Sequence, residues 1–588
     1  MKKIAFLIYC FFVIFHHNLL AQQFQEFDIE PNGMSNPHDF FVLNDKLVFW
    51  AYTDAYGEEL WVFDNVSQNV SLLKDIFVGF QGSYIGYPEH IIYNNRLYFT
   101  ANDSVHGAEL WVTDGTTSGT FMLKDINTGE EPSNPGQFFI YNNTLFFSAS
   151  TANEGTELWK TDGTAAGTVL LKDIFTGPNG SYPTSFVICN GSLFFSAYDS
   201  IHGSELWKTN GTTAGTVLVK DLTSDSTDGF PYYPMTPICL NNQLIFVGQT
   251  AQYGMEIFIS DGTDTGTQLL KDIYPGTDGC SPFYAQKLGN QIIFSADNGT
   301  NGQELWKTDG TTAGTTLLKD IFPGNQGSYP HDLLVADSII VFAAENSNNN
   351  VELWKTNGSE TVLLKDIKTL GGSYPEKFFI FQNQLFFTAE DNTNGKELWV
   401  SNGTTNGTQL FKNINTNVGT GSFPNSFTIH NNKLFFIADI GAVNSENYQL
   451  FQSDGTPSGT VLIQPVVFQD PFNLFFYPFY FTSTPFGLFF KAQYDYQKGY
   501  ELWRYYDPNT SITHPYLTHP SLHCYPNPFA HSVKCNCNKG EVLEIYSLDG
   551  KLLKTQKIDY DFQSFELDYS VPVLVKGKNG YQILMPEK

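Results

Sequence analysis

The chain has 588 residues and a formal net charge of −28, and aromatic and charged residues each make up 16% of it. It is too long for one small core and too rich in aromatic residues for a disordered protein. The acidic balance, with Arg96 and Arg504 as its two arginines, excludes a surface that binds nucleic acid through phosphate contacts.

The N-terminus is typical of an export signal. Lys2 and Lys3 precede an apolar run from Ile4 to Phe15, and Ala21 follows shortly afterwards. The run is too short to be a permanent membrane-spanning helix. We therefore expect a signal peptide over residues 1–21, cleaved after Ala21, and no transmembrane segment in the rest of the chain.

One sequence unit recurs ten times along the chain at spacings of 45 to 52 residues. Its marker is Glu-Leu-Trp, which begins at Glu59, Glu109, Glu157, Glu205, Glu304, Glu352, Glu397 and Glu501, with degenerate copies at Glu256 and Gln449. Each unit contains four short strand patterns separated by turns; in the copy over 180–230 we expect strands at 185–189, 193–197, 205–208 and 216–221. Four antiparallel strands per unit are the content of one propeller blade.

The second strand reads Leu-Phe-Phe in five of the ten copies, as at 145–147 and 385–387, and is similarly apolar in the others. Because successive strand residues point to opposite faces, such a run must be buried on both sides. The sequence therefore predicts an all-β fold, a β-propeller over residues 22–506 in which each sheet lies between two others.

The two ends of the repeat array indicate closure of a ring. Residues 26–29 resemble the end of a fourth strand, but no other strand of a blade precedes them. They can complete the last blade, whose own three strands we place between Gly487 and Arg504, and so protect the edge strands. We expect a single ring of about ten blades, with two smaller rings as the alternative.

Recurring residues are assigned to blade construction rather than to one active site. The Asp-Gly-Thr element, as at Asp114 and Asp309, offers one carboxylate, whereas a calcium loop needs several oxygen ligands. Asp-Gly is also the ordinary composition of a tight turn. We therefore expect no metal site and no cofactor.

A ligand-binding surface is predicted instead from loops that emerge on one face of the ring. The loop from the fourth strand to the next blade carries an aromatic residue in several repeats, and the loop between the second and third strands carries aspartates at one offset. This candidate rim consists of Tyr84, Tyr182, Tyr329, Tyr374, Asp103, Asp199, Asp391 and Asp495, with Phe423 in a related position. Ordinary turn chemistry is the alternative role for these residues.

Six cysteines follow the signal segment, and they form no dense disulfide framework. Cys189 and Cys239 are assigned to the same position of successive repeats, and we expect them to be buried, unpaired residues. An aromatic-rich stretch between Asp470 and Phe490 breaks the pattern; it is either an exposed contact patch or a closing blade that packs differently.

The complete form of the repeat, Glu-Leu-Trp-x-x-Asp-Gly-Thr-x-x-Gly-Thr, stands at 109–120, 157–168 and 304–315. It resembles the ELWxxDGT repeat family of exported bacterial proteins, and the resemblance covers about residues 24–517. It implies export and a propeller-like array, and it supplies neither an agreed ligand nor catalytic residues.

After a linker at 507–523, residues 524–588 change character. Tyr525, Pro526, Asn527 and Pro528 are followed by a strand pattern that ends in Gly550 and Lys551. This segment resembles the C-terminal sorting domain of type IX secretion substrates. The resemblance implies a small β-sandwich-like domain that engages the type IX machinery, and passage to the outer surface or the medium.

The sequence contains no nucleophile elbow, zinc-binding helix motif, phosphate loop or dinucleotide fingerprint. We therefore expect a non-enzymatic extracellular or cell-surface protein that binds glycan or protein ligands. The alternatives are a propeller enzyme, a lyase or hydrolase acting on polysaccharide, and a structural protein of the cell envelope.

Overall fold

The computed structural model describes residues 24–86, 89–223, 228–230, 235–347, 349–417, 419–441, 448–463, 478–495 and 499–506, with the backbone alone at 494–495. It also describes the backbone of seven strands between 524 and 584. The predicted cleavage site at Ala21 and the side chains of the predicted sorting motif lie outside the described residues. The chain divides into two compact units, of which residues 24–64 and 69–506 belong to the first.

The first unit begins with β1 (Phe24–Phe27), which precedes the first complete blade. The strands of blades 1 to 5 follow in chain order: β2 (His38–Leu43), β3 (Lys46–Thr53), β4 (Gly57–Asp64), β5 (Asn69–Lys74); β6 (His90–Tyr93), β7 (Arg96–Asn102), β8 (Ala108–Thr113), β9 (Phe121–Lys124); β10 (Gly136–Tyr141), β11 (Thr144–Thr151), β12 (Gly155–Thr161), β13 (Val169–Lys172); β14 (Thr184–Cys189), β15 (Ser192–Asp199), β16 (Gly203–Thr209), β17 (Val217–Lys220); β18 (Ile238–Leu240), β19 (Gln243–Thr250), β20 (Gly254–Ser260), β21 (Gln268–Lys271).

Blades 6 to 10 continue the same order, and the last blade contributes three strands of its own. The strands are β22 (Phe283–Leu288), β23 (Gln291–Asp297), β24 (Gln303–Thr308), β25 (Thr316–Lys319); β26 (His331–Ala336), β27 (Ile339–Glu345), β28 (Val351–Thr356), β29 (Thr361–Lys365); β30 (Glu376–Phe381), β31 (Gln384–Asp391), β32 (Gly395–Ser401), β33 (Gln409–Lys412); β34 (Asn425–His430), β35 (Lys433–Asp439), β36 (Tyr448–Ser453), β37 (Val461–Leu462); β38 (Phe479–Thr484), β39 (Gly487–Asp495), β40 (Gly499–Tyr505).

These strands form ten antiparallel four-stranded sheets within the described part of the chain. In each complete blade the four strands pair in chain order. The first strands of successive blades contact one another, as β22 and β26 do, which places them innermost in the ring. The prediction of a ten-bladed propeller is confirmed.

The ring closes through β1, as predicted. Phe24 to Phe27 pair antiparallel with Tyr505 to Leu502, so the first strand of the chain becomes the outer strand of blade 10. A hydrophobic core between blades 10 and 1 contains Phe27, Leu502 and Phe49. The closure protects the edge that an open array would expose.

Among the residues that the structure describes, ten hydrophobic cores lie between neighbouring blades rather than within them. The third strand shows how one strand serves two cores, because Leu158 packs in the core of blades 3 and 4 while the next residue, Trp159, packs in the core of blades 2 and 3. The second strand likewise buries five consecutive residues, as in Leu145 to Ala149. The predicted burial on both faces is thus confirmed.

Two predicted strand positions need correction. The first strand of blade 10 is Phe479–Thr484, so that blade begins before Gly487 and takes its inner strand from the aromatic-rich stretch. Residues 464–477 of that stretch lie outside the described residues. In blade 4 the first three observed strands extend the predicted ones by one or two residues at most ends, and the fourth, Val217–Lys220, is one residue shorter at each end.

The prediction that Cys189 and Cys239 are unpaired is wrong, because they form a disulfide between blades 4 and 5 with their Cα atoms 5.3 Å apart. The reason is a one-residue offset. Cys189 ends its strand, whereas Cys239 stands one residue before the end of β18. Side chains at equivalent positions of two blades point in the same direction around the ring. Because successive strand residues point to opposite faces, an offset of one residue reverses that direction, and the two thiols face each other. Cys280 is buried and has no disulfide partner.

The second unit contains residues 507–588. Its described strands are β41 (Cys524–Tyr525), β42 (Ser532–Cys535), β43 (Val542–Ser547), β44 (Leu552–Lys557), β45 (Ser564–Glu566), β46 (Val573–Gly577) and β47 (Gly580–Leu584). They pair in the orders β41-β42-β45 and β44-β43-β46-β47. A sorting domain here stays a prediction.

Candidate functional site

The glutamate of Glu-Leu-Trp is a buried support for the loop that leads to the next blade. In blade 2, Glu109 accepts hydrogen bonds from the backbone N–H of Ile126 at 2.8 Å and from the Ser133 hydroxyl at 2.6 Å. The Ser133 N–H donates a third, at 2.9 Å. Burial raises the pKa of Glu109, and these donors oppose the shift. The glutamate therefore shapes the loop and is not exposed to a ligand.

The Asp-Gly-Thr element closes the turn between the third and fourth strands. Asp114 Oδ1 accepts the N–H and the hydroxyl of Thr116 at 2.9 and 2.6 Å. A Cβ at Gly119 would lie 2.0 Å from the same carboxylate, which explains the second glycine of the repeat. The Asp114 carboxylate serves the turn, and among the described residues no cluster of three His, Cys, Asp or Glu could hold a metal ion.

Lysines of the repeat connect neighbouring blades. Lys74 of blade 1 donates to the carbonyl of Thr120 in blade 2 at 2.7 Å, and Lys160 of blade 3 donates to the carbonyl of Gly211 in blade 4 at 2.8 Å. Lys74 Nζ also lies 5.8 Å from the Trp111 ring. The residues that recur in every unit are thus used to build blades and to join them.

The residues that differ between repeats include those on one face of the ring, which we call the loop face. It carries the loops between second and third strands and the loops before each first strand. The two loop sets contact each other: the N–H of Tyr198, near the end of a second strand, donates to the carbonyl of Ser181 at 2.7 Å.

Four aromatic residues on the loop face have an unfavourable backbone conformation. Tyr182, Tyr329, Tyr374 and Phe423 have φ between 46° and 48° and side chains 43–63% exposed. Blades 1 and 3 place Asn36 and Asn134 at this position, which is the residue type that tolerates positive φ. Three of the four predicted tyrosines are therefore exposed on the predicted face.

The fourth predicted tyrosine differs. Tyr84 has no positive φ, and its ring packs edge-on against Trp50 and His38 with centroids 5.1 and 4.9 Å apart. His38 in turn contacts Glu58 at 2.8 Å and Asp39 at 3.1 Å. Burial lowers the His38 pKa, but these two carboxylates outweigh it and raise it to about 9.

The predicted rim aspartates hold their own loops. Asp103 accepts the N–H groups of Val105 and His106 and contacts His106 Nδ1 at 2.7 Å. Asp199 bonds His202 in the same way, and Asp391 bonds the N–H and the side-chain amide of Asn394. Asp495 pairs with Gly499 through the backbone, and its side chain lies outside the described residues.

A second set of exposed aromatic residues was missed by the sequence reasoning. The second residue of most first strands also has positive φ, and there blades 6 and 10 carry Tyr284 (φ 52°) and Tyr480 (φ 57°), both more than half exposed. Tyr284 lies between Phe283 and His331, with centroids 6.3 and 6.4 Å apart. The signal that could have found them is the variation of this position between repeats.

A buried cation marks the junction of blades 10 and 1. Lys491 is 6% exposed, bonds Asn36 Oδ1, and lies 4.8 to 5.3 Å from the rings of Phe479, Tyr480 and Tyr500. Burial lowers its pKa to about 8. This contact attaches the start of blade 1 to the last blade.

A cavity of 450 Å³ opens between blades 7 and 8 near the face opposite the loop face. It is lined by Ala336 and Val341 of blade 7. At the same two positions blade 3 has Tyr141, whose hydroxyl donates to Gly191 of blade 4 at 2.6 Å, and Phe146. Smaller side chains therefore leave this space unfilled.

Comparison with known proteins identifies no family. No protein-family model matches the chain, and no curated protein does. Solved structures are matched at low identity. The computationally designed Ika8 protein is 15% identical, with 64% of this chain and 99% of that chain covered and a TM-score of 0.32.

Two peptidase structures are also matched. A puromycin hydrolase is 12% identical over 61% of this chain with a TM-score of 0.29, and a prolyl endopeptidase is 8% identical over 68% with a TM-score of 0.31. The chain spans 59% and 54% of the length of those two chains. In the described part of the chain no helix is long and apolar enough to cross a membrane.

Proposed function

We propose that this protein is an exported, non-enzymatic propeller that binds an extracellular glycan or protein ligand through its loop face. The observation that carries the proposal is the set of exposed aromatic side chains in left-handed backbone positions, Tyr182, Tyr329, Tyr374 and Phe423. A bulky residue in this conformation costs about 1 kcal/mol relative to a relaxed one. Because these side chains stay 43–63% exposed, burial within the chain offsets only part of this cost, and a contact outside the chain is the simplest reason to keep them.

The distribution of these residues supports a binding face. Blades 6 to 10 each present an exposed aromatic side chain near the inner end of the loop face: Tyr284, Tyr329, Tyr374, Phe423 and Tyr480. Aromatic residues are enriched at binding sites because they bury large area with few rotatable bonds. A rigid ring of blades holds them at fixed separations.

Export through a signal peptide and a type IX sorting domain is part of the proposal. The disulfide between Cys189 and Cys239 supports an oxidising compartment, because disulfides seldom persist in the cytosol. The loop carboxylates of Asp103, Asp199 and Asp391 are engaged within their own loops, so they give no support to a polysaccharide-cleaving mechanism.

Binding of the purified full chain to a glycan array and to a panel of immobilised surface proteins tests the proposal. A triple variant, Tyr182→Asn, Tyr329→Asn and Tyr374→Asn, uses the residue that blades 1 and 3 carry there. We expect at least about tenfold weaker binding, equivalent to ~1.4 kcal/mol. Phe121→Asn, which removes an exposed ring from an outer strand, is the control and should bind normally.

Two results would contradict the proposal. Binding that the triple variant leaves unchanged would place the ligand elsewhere. Cleavage of a bound polysaccharide by the purified chain would show that the protein is an enzyme.

A further inference from the structure

The rings of Phe283, Tyr284 and His331 lie next to one another across blades 6 and 7 in a cluster that we call the platform; its ring planes are tilted by 43° and 54°, and His331 is half-buried. Tyr284 is central, with its ring centroid 6.3 Å from that of Phe283 and 6.4 Å from that of His331. Phe283 and Tyr284 are 40% and 53% exposed. Because β22 and β26 both begin at the loop face, the platform lies at the inner edge of that face.

Hydrogen-bond acceptors are present in the platform and in the residue next to it. His331 Nδ1 lies 2.8 Å from the carbonyl oxygen of Tyr329, and since a carbonyl accepts, Nδ1 carries the proton. In the neutral ring Nε2 is then an acceptor. Asp332, the next residue, is exposed and has φ 53°. Both groups are hydrogen-bond acceptors in or directly beside the platform.

The surrounding loops carry amides and carboxylates but no cation. The loops over 272–282, 297–302, 320–330 and 345–350 contain no lysine and no arginine. The single lysine of β22, Lys287, lies towards the other end of the strand and donates to the Cys239 carbonyl at 3.3 Å. An anionic ligand would therefore meet carboxylates without a compensating positive charge.

Most of the nearby carboxylates and amides are already engaged. Asp297 accepts the N–H of Gly299, and Asp320 accepts the side-chain amide of Asn301. The platform thus offers a ligand aromatic surface and, beside it, a few atoms that can accept hydrogen bonds from hydroxyl groups. A pyranose ring matches it, because its C–H face packs on the negative face of an aromatic ring while its hydroxyls donate at the edge.

We infer that the platform of Phe283, Tyr284 and His331 is a binding subsite for a neutral polysaccharide. The inference deepens the proposed function and rests on it, since it assigns a ligand class to one part of the loop face. An uncharged sugar chain satisfies both the aromatic surface and the acceptors, and unlike an anionic chain it meets no charge repulsion from an acidic protein.

Calorimetric titration of the full chain with three polysaccharides tests the inference: galactomannan, which is neutral; polygalacturonate, which is anionic; and chitosan oligosaccharide, which is cationic. We expect galactomannan to bind and polygalacturonate not to bind; chitosan, a cation attracted by the net charge of −28, should bind Tyr284→Ser as tightly as it binds the natural protein. Tyr284→Ser, which introduces the residue that blade 4 carries at this position, should weaken galactomannan binding at least about fivefold. Ser185→Ala, at the equivalent position of blade 4, is the matched control and should bind as the natural protein does.

The outcomes separate this inference from the proposed function. Equal or tighter binding of polygalacturonate, chitosan binding that Tyr284→Ser weakens, or binding of a surface protein with no glycan bound would overturn the neutral-glycan subsite while leaving the loop face as a binding face. Galactomannan binding that neither Tyr284→Ser nor the triple tyrosine variant weakens would overturn both. Unchanged thermal unfolding of each variant shows that a loss of binding is not a loss of folding.

Discussion

The buried carboxylate of Glu205 faces Gly229, a residue with no side chain, where a Cβ would lie 2.2 Å from Oε1. In blade 3 the corresponding pair is Glu157 and Ser181, whose hydroxyl donates to the carboxylate at 2.6 Å. Seven of the described blades have this serine–glutamate bond. Blade 4 therefore lacks the serine–glutamate hydrogen bond that these seven blades share.

Gly229→Ser should stabilise the propeller. The backbone of Gly229 does not have positive φ, and the clashing atom is the end of a flexible side chain, so a serine fits after a small shift of Glu205. The added hydroxyl should contribute about 1 kcal/mol and raise the melting midpoint. Gly229→Ala, which adds the Cβ without the donor, is the control; equal effects of the two substitutions would show that the hydroxyl is not involved.

The buried glutamates predict a loss of stability between pH 5 and pH 8. Burial raises the pKa of Glu59, Glu397 and Glu501 to about 7 and that of Glu205 to about 8. An acid whose pKa is raised on folding contributes stability that is complete below its ordinary pKa and is lost as the pH rises through the folded value. The melting midpoint should therefore fall over this range, and Glu205→Gln should reduce the fall near pH 8. A midpoint that rises from pH 5 to pH 8 is incompatible with this assignment.

Reduction of the Cys189–Cys239 disulfide should destabilise the junction of blades 4 and 5. The bridge closes a segment with a sequence separation of 50 residues, for which chain entropy predicts about 4 kcal/mol. Thermal unfolding with and without dithiothreitol measures the effect, and thiol counting by mass spectrometry verifies the bond. Cys280→Ser, which leaves the bridge intact, should respond to dithiothreitol as the natural protein does.

The turn aspartates should prove to be structural rather than calcium ligands. Asp309 accepts the N–H and hydroxyl of Thr311 at 2.9 and 2.7 Å. Asp309→Ala should cost about 1 kcal/mol of unfolding free energy, whereas Asp309→Asn should cost little, because Asn210 holds the same turn in blade 4. Neither calcium nor a chelator should move the melting midpoint; a shift on chelation would point to a bound ion.

The sequence was sufficient for the ring because its main signals are periodic. Leu-Phe-Phe runs required burial on both sides of a sheet, and the unmatched strand pattern near Phe27 required a partner at the far end of the chain. The structural roles of Glu109 and Asp114 followed from their recurrence. These predictions were possible because they concern the structure of a single repeat, and the sequence contains ten copies of it.

Features that depend on the contact between two different repeats could not be predicted from the sequence. The pairing of Cys189 with Cys239 needs the alignment of two first strands to within one residue. The platform at Tyr284 depends on a positive φ in the first strand, and the sequence shows this position only through its variation between repeats. The cavity beside Ala336 arises only where a small residue meets the next blade.

Single-particle electron microscopy of the full chain tests the central claim, that ten repeats form one closed ring with a single variable face. We expect ten four-stranded blades in one ring, with residues 24–27 paired to residues 502–505 and the tyrosines at 182, 329 and 374 on the same face. An open array, two smaller rings, or a first strand located away from the last blade would contradict it.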